Sequence, residues 1–222
     1  MTQGRICSFL MTHAADESTF ESSNKDSSDP AGLGAAAKRF PVSKEEETLI
    51  AAHEAGHAIV ACFTKNAWPP KTVTIIPDPN SLGLTTFQMD TGPYQNVTTK
   101  SEFEAFIDAA LGGLEAEKMH TKSGHTSGPS FDLTLATENA RHMVLELGMS
   151  SLGVRDFTLG ELSDEEKRII NKQVDEMLEK SQTRARKVLK EHKDAHGRLV
   201  TALLEKKTLN FDQIKEAIEK SA

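Results

Sequence analysis

The chain has 222 residues, 37% hydrophobic and 27% charged, a length and balance that suit one globular domain with tails or two small ones. A formal net charge of −7 argues against unassisted binding to nucleic acid or to an anionic membrane surface, since both repel a net anion. Cys7 and Cys62 lie far apart and make no disulfide framework. This points to a reducing compartment, cytoplasmic by default, with an organelle lumen or stroma left open.

Residues 1–42 read as a flexible arm, because "DESTFESSNKDSSDPAGLGAAAKRF" holds too little apolar surface to offset the entropy of ordering. The apolar patch from Cys7 to Met11 lacks the basic start and long apolar centre of a signal peptide, and acid from Asp16 onward does not suit a transit peptide. "GLGAAAK" shares glycines with a phosphate loop. It lacks the preceding strand and the Gly-Lys-Ser/Thr ending, and no Walker-type loop occurs elsewhere. Nor does any apolar run approach the roughly 20 residues of a membrane helix.

Residues 43–222 read as the folded domain, mainly α with a small β element. "SKEE" at Ser43 is a capping box that starts a helix through "EEETLIAAHEAGHAIVACF". Leu49, Ala52, Ile59, Val60 and Phe63 line its apolar side, and Cys62 reads as a small core residue. "KTVTIIP" and "LGLTTFQM", separated by "DPNS", predict two strands and a short turn. "KSEFEAFIDAALGGLEAEKMH" and "FDLTLATENARHMVLELG" have helical periodicity, the second with Gly148 as its stop. From Ser163, where "SDEE" is a second capping box, the pattern is helical almost to the end. Ile169, Val174, Met177, Leu178 and Val188 lie near helical spacing there. "KKTLNFDQIKEAIEK" reads as a break and a last short helix capped by Thr208 or Asn210.

The chemistry lies in "HEAGHAIV". On a helix, residues four apart share a face, so His53 and His57 can hold one ion between their imidazoles. Zinc takes such ligands, and a catalytic zinc site uses three protein ligands plus water. Glu54, beside His53, can take a proton from a water whose pKa zinc lowers to about 7. Gly56 costs the helix about 1 kcal/mol relative to Ala, so a steric or functional reason is expected. The third ligand must come from farther along the chain, because no histidine stands at the position of the extended "HExxHxxGxxH" pattern. The candidates are Glu115, Glu117, His120, His125 and Asp132.

"HEAGHAIV", "VTIIP", "LGLTTF", "GGLEAE", "TSGPSFDLTLAT" and "ARHMVLELGMSSLG" follow one another in order. Together they resemble the peptidase domain of the FtsH family, the membrane-anchored AAA+ zinc proteases. The likeness continues through "LSDEEKRIINKQVDEML" to "ALLEKKTLNFDQIKEAI". It implies a Zn2+ endopeptidase acting on polypeptide substrates, with Asp132 of the "DLxxAT" block as third ligand. It also implies that Glu117 orients a ligand histidine and that Glu54 is the general base. The strand Leu82, Gly83, Leu84 and Thr85 would be the edge to which a substrate peptide adds. A homo-hexamer is implied as well.

Family members carry membrane segments and an ATPase module, and neither is legible here. The expectation is therefore a peptidase that cleaves flexible chains, works with a separate AAA+ ATPase or full-length FtsH relative, or is a fragment of a longer product. Leu114 replaces a basic residue of the family's "GGR", and Asp78-Pro79 replaces an Arg-Gly pair. A second function class is a non-catalytic, zinc-stabilised binding or assembly module regulating a full-length relative. An intact Glu54 favours the enzyme, since a purely structural zinc needs no base.

Overall fold

The structure is a computed structural model that describes residues 41–79, 81–89, 96–122 and 124–219; most of the expected arm, residues 1–40, lies outside the described residues. The architecture is mainly helical with one three-stranded antiparallel sheet. Helix α1 (Lys44–Phe63) starts at Ser43, whose hydroxyl accepts from the Glu46 backbone while Glu46 reaches back. From Ile50 to Ala61 it is buried on every side, as expected of a helix at the centre of a core. Helices α2 (Lys100–Ala110), α3 (Gly112–His120), α5 (Asp164–Glu191) and α6 (Lys193–Lys206) pack around it, with the sheet on its remaining flank.

α1 and α3 approach until their backbones touch. A methyl group on Gly56 would lie 2.6 Å from both the Gly112 carbonyl oxygen and the Ala116 Cβ. This is the steric reason for a glycine inside α1.

The sheet runs β2-β1-β3. Strand β1 (Pro70–Thr74) pairs with β2 (Leu84–Phe87), setting Val73 opposite Thr85, and with β3 (Thr208–Asn210), setting Val73 opposite Leu209. The β1–β2 turn is tied by Asp78, whose carboxylate accepts from the Ser81 backbone at 2.8 Å and from its hydroxyl at 2.9 Å.

Several expectations need correction. "TLN" is not a plain break but β3; three residues are too short to show a two-residue period, and pairing with β1 imposes the conformation. Asn210 still caps the last helix, α7 (Phe211–Glu219), by accepting from the Gln213 backbone at 3.0 Å. The helical stretch after Ser163 divides at His192, whose ring stacks on Phe63 at 3.5 Å. The stretch from Lys100 divides at Leu111, where α3 turns to meet α1. Ile170 rather than Ile169 faces the core, Ile169 being 42% exposed. Cys62 is exposed, because it lies where α1 leaves its packing partners. Helix α4 (Ser130–Leu145) ends before Gly148, which has φ +58°. No described helix is long and apolar enough to cross a membrane.

Candidate metal centre

The middle of α1 supplies both histidines. His53 and His57 are fully buried, and their Nε2 atoms lie 3.0 Å apart. The loop ahead of α4 delivers Asp132 into that helix's first turn, also fully buried. Its Oδ2 stands 3.1 Å from His53 Nε2 and 3.6 Å from His57 Nε2. A tetrahedral ion with bonds of about 2.0–2.1 Å spaces its donors about 3.3 Å apart, so this triangle matches zinc in both donor type and size. Gly113 faces the same place. A methyl there would lie 2.5 Å from His53 Nε2 and 2.6 Å from His57 Nε2.

The outer nitrogens explain why the inner ones converge. His57 Nδ1 donates to the Ala109 carbonyl at 2.7 Å, and His53 Nδ1 donates to Glu117 Oε1 at 2.9 Å. Each partner can only accept, so the proton of a neutral ring sits on Nδ1 and the Nε2 lone pair faces the centre. Glu117 is itself fixed, its Oε2 accepting from the Thr126 backbone at 2.7 Å and hydroxyl at 3.0 Å. One carboxylate thereby joins α1 to the loop that leads into α4.

Burial works against charge on His53, but hydrogen bonds to Asp132 and Glu117 outweigh it and hold the imidazole up at about 10. Burial likewise opposes ionisation of Asp132, yet His57 and His53 bring it down to about 2. Without an ion, the cluster therefore favours an imidazolium against a carboxylate. A divalent cation would take over that role by displacing the proton. Burial pushes Glu54 above the usual carboxylate range. Among the described residues, Glu54 Oε1 and Asp132 Oδ1 are both buried without a hydrogen-bond partner, a costly arrangement in a purely structural core.

Of the five residues left open by spacing, Asp132 alone joins the histidines, and Glu117 stands behind His53. Glu115 is turned away, bound by Arg186 and Lys118 at 2.7 Å each. His120 and His125 are exposed. Among the described residues no other group of histidine, cysteine and acidic side chains is close enough to hold an ion. Leu114 is buried in the core.

Sequence reasoning missed Thr126, the Ala109 carbonyl, Gly113 and His196. The buried His196 ring donates from Nε2 to the Ala52 carbonyl at 2.9 Å, one residue before His53, and burial holds it below its ordinary pKa. No local pattern announces any of these contacts. β2 lies at the edge of the sheet beside α1. The strand starts only at Leu84, so Leu82 and Gly83 of the expected edge precede it; Leu82 and Leu84 are half-buried, while Gly83 and Thr85 are buried against the Glu54 side chain.

Residues 41–217 match the model of peptidase family M41. The chain is similar to the ATP-dependent zinc metalloprotease YME1 homolog of Schizosaccharomyces pombe, with 34% identity over 191 residues, covering 84% of this chain and 27% of that protein. It is 33% identical over 190 residues to human ATP-dependent zinc metalloprotease YME1L1, covering 84% and 24%. With ATP-dependent zinc metalloprotease FTSH 11, chloroplastic/mitochondrial, of Arabidopsis thaliana, it shares 36% identity over 188 residues, covering 84% and 23%. The chain spans about a quarter of the length of these relatives. A buried histidine pair alone could arise in many folds; on a sequence that follows the family model from ahead of the first helix into the last, it accompanies a broader likeness, and the chain belongs to peptidase family M41.

Proposed function

We propose that this domain is a zinc-dependent endopeptidase acting on flexible or unfolded polypeptides. The supporting observation is the convergence of His53 Nε2, His57 Nε2 and Asp132 Oδ2, with both Nδ1 atoms already engaged. Those three side chains would hold the ion. Zinc, when bound, supplies a Lewis acid for the scissile carbonyl and lowers the pKa of an attacking water to about 7.

Glu54 is the proton carrier: its Oε1 accepts from the attacking water and later donates to the leaving amine. No covalent enzyme intermediate is needed. Glu117 keeps the His53 ring aimed by accepting from Nδ1. Leu82, Gly83, Leu84 and Thr85 offer main-chain groups at a sheet edge, to which an extended peptide can add with little regard to its sequence. On the same reading the domain works as a homo-oligomer, a six-membered ring, with an ATP-driven motor supplied by an AAA+ module or a full-length relative. It works in a reducing compartment.

The test is casein hydrolysis by the wild type and Glu54→Gln, with zinc measured in both by elemental analysis. Zinc in both and cleavage only by the wild type is expected. Zinc in both and cleavage by neither would replace the reading with the non-catalytic, zinc-stabilised module. No zinc in folded, zinc-supplied wild type would overturn both.

A further inference from the structure

Thr85 lies on the inward face of β2, a position where strand alternation calls for an apolar side chain. It is fully buried, and its hydroxyl donates to Glu54 Oε2 at 2.6 Å, with the Glu54 backbone carbonyl 3.3 Å away. A buried hydroxyl is tolerated when it has such a partner, and here the partner is the proposed base. On the other side, Gly83 leaves room for the same carboxylate. A methyl there would lie 2.6 Å from Glu54 Oε1 and 2.9 Å from its Cγ. Oε2 is therefore tethered, while Oε1 has no hydrogen-bond partner among the described residues.

The tether is built into the sheet. Thr85 stands opposite Val73 in β1, and Val73 in turn stands opposite Leu209 in β3. The hydroxyl is thus held in the paired part of the sheet rather than on a loop.

We infer that Thr85 is a positioning residue, its hydroxyl fixing the Glu54 carboxylate so that Oε1 alone is presented for proton transfer, with Gly83 keeping that oxygen clear. The inference rests on the zinc-peptidase reading. It goes further by giving β2 a second role, since the strand proposed to receive substrate also sets the angle of the base. Peptide register and base orientation then share one element.

The experiment compares wild type, Thr85→Val and Thr85→Ser, each loaded with zinc, on a fluorogenic peptide. Thr85→Val keeps the shape and loses the donor; Thr85→Ser keeps the donor. Zinc per chain should stay at the wild-type level in both, because Thr85 does not touch the ligands. For Thr85→Val, kcat should fall about 10- to 100-fold with KM changed by less than about twofold, as misorientation of a reacting group predicts. Thr85→Ser should recover most of the loss.

A second readout is independent of turnover. With 13C at the glutamate carboxyl carbons, the resonance that disappears in Glu54→Gln should move in Thr85→Val and stay in place in Thr85→Ser. On a Glu54→Gln background, Thr85→Val should lower the residual rate no further. Wild-type kcat in Thr85→Val, an equal loss in Thr85→Ser, or an unmoved Glu54 resonance would overturn the inference. Thr85→Ala replaces the valine variant if the latter does not fold. The casein and zinc measurements on wild type and Glu54→Gln separately decide the zinc-peptidase reading, so the two failures are distinguishable.

Discussion

The domain contains two kinds of buried carboxylate, and their difference separates what holds the fold from what the site is for. Asp108 on α2 and Glu115 on α3 are saturated. Arg184 binds both oxygens of Asp108 at 2.7 Å, and Arg186 with Lys118 covers Glu115. These pairs fasten α5 across the two helices that flank α1. Glu54 and Asp132 are buried as deeply, yet each leaves one oxygen without a partner among the described residues. A fold selected only for stability would fill those positions or make them apolar. The unsatisfied pair lies where the proposed function needs binding and proton transfer.

Variants can break this contrast, and the largest effect belongs to the ligand. Asp132→Ala should lose stoichiometric zinc and all measurable casein cleavage, and should also lower stability in zinc-free buffer because it removes the buried partner of His53, as seen by elemental analysis and circular dichroism. Retention of zinc would remove Asp132 from the ligand set. Glu54→Gln should keep zinc while kcat falls by about 10²–10⁴-fold, the usual range for a lost general base.

The saturated carboxylates should behave in the opposite way. Arg184→Ala leaves Asp108 buried without its partner and should lower unfolding stability by about 1–3 kcal/mol, toward the low end because Arg184 is 43% exposed and screened by solvent. Zinc per chain should not change. Glu117→Gln sits between the classes: zinc affinity should weaken about 10- to 100-fold, as for other partners behind metal-bound histidines.

Acidity sharpens the comparison. Without metal, His53 is raised to about 10, so its pairing stabilises the fold fully below its unfolded value near 6.5 and loses that effect as pH rises toward 10. Zinc must displace this proton. The zinc-induced gain in Tm should therefore be small at pH 5 and grow through pH 8, by calorimetry with and without metal. A gain independent of pH would show that the ion does not bind these imidazoles.

Much of this was legible in the residues themselves. The capping boxes at Ser43 and Ser163 depend on groups three positions apart, and the His53–His57 pair on groups four apart, so local spacing suffices. The third member of the buried cluster is not legible from spacing, because five acidic or imidazole side chains qualify until the fold turns Glu115 toward Arg186 and leaves His120 and His125 exposed. The division at Leu111, the stacking of His192 on Phe63 and the pairing of Thr208–Asn210 with β1 all depend on contacts between distant segments. Ile169 and Ile170 are neighbours of identical chemistry, and only packing decides which one turns inward.

The third strand brings the end of the fold to the flank of the site. β1 is shared, with the tail segment on one flank and the strand that tethers the Glu54 carboxylate on the other. Lys207, at the hinge into that segment, accepts from the Ile75 backbone and reaches Glu47 near the start of α1. Through β1 the segment ahead of the final helix and the strand that holds the Glu54 carboxylate therefore belong to one continuous ladder of backbone bonds.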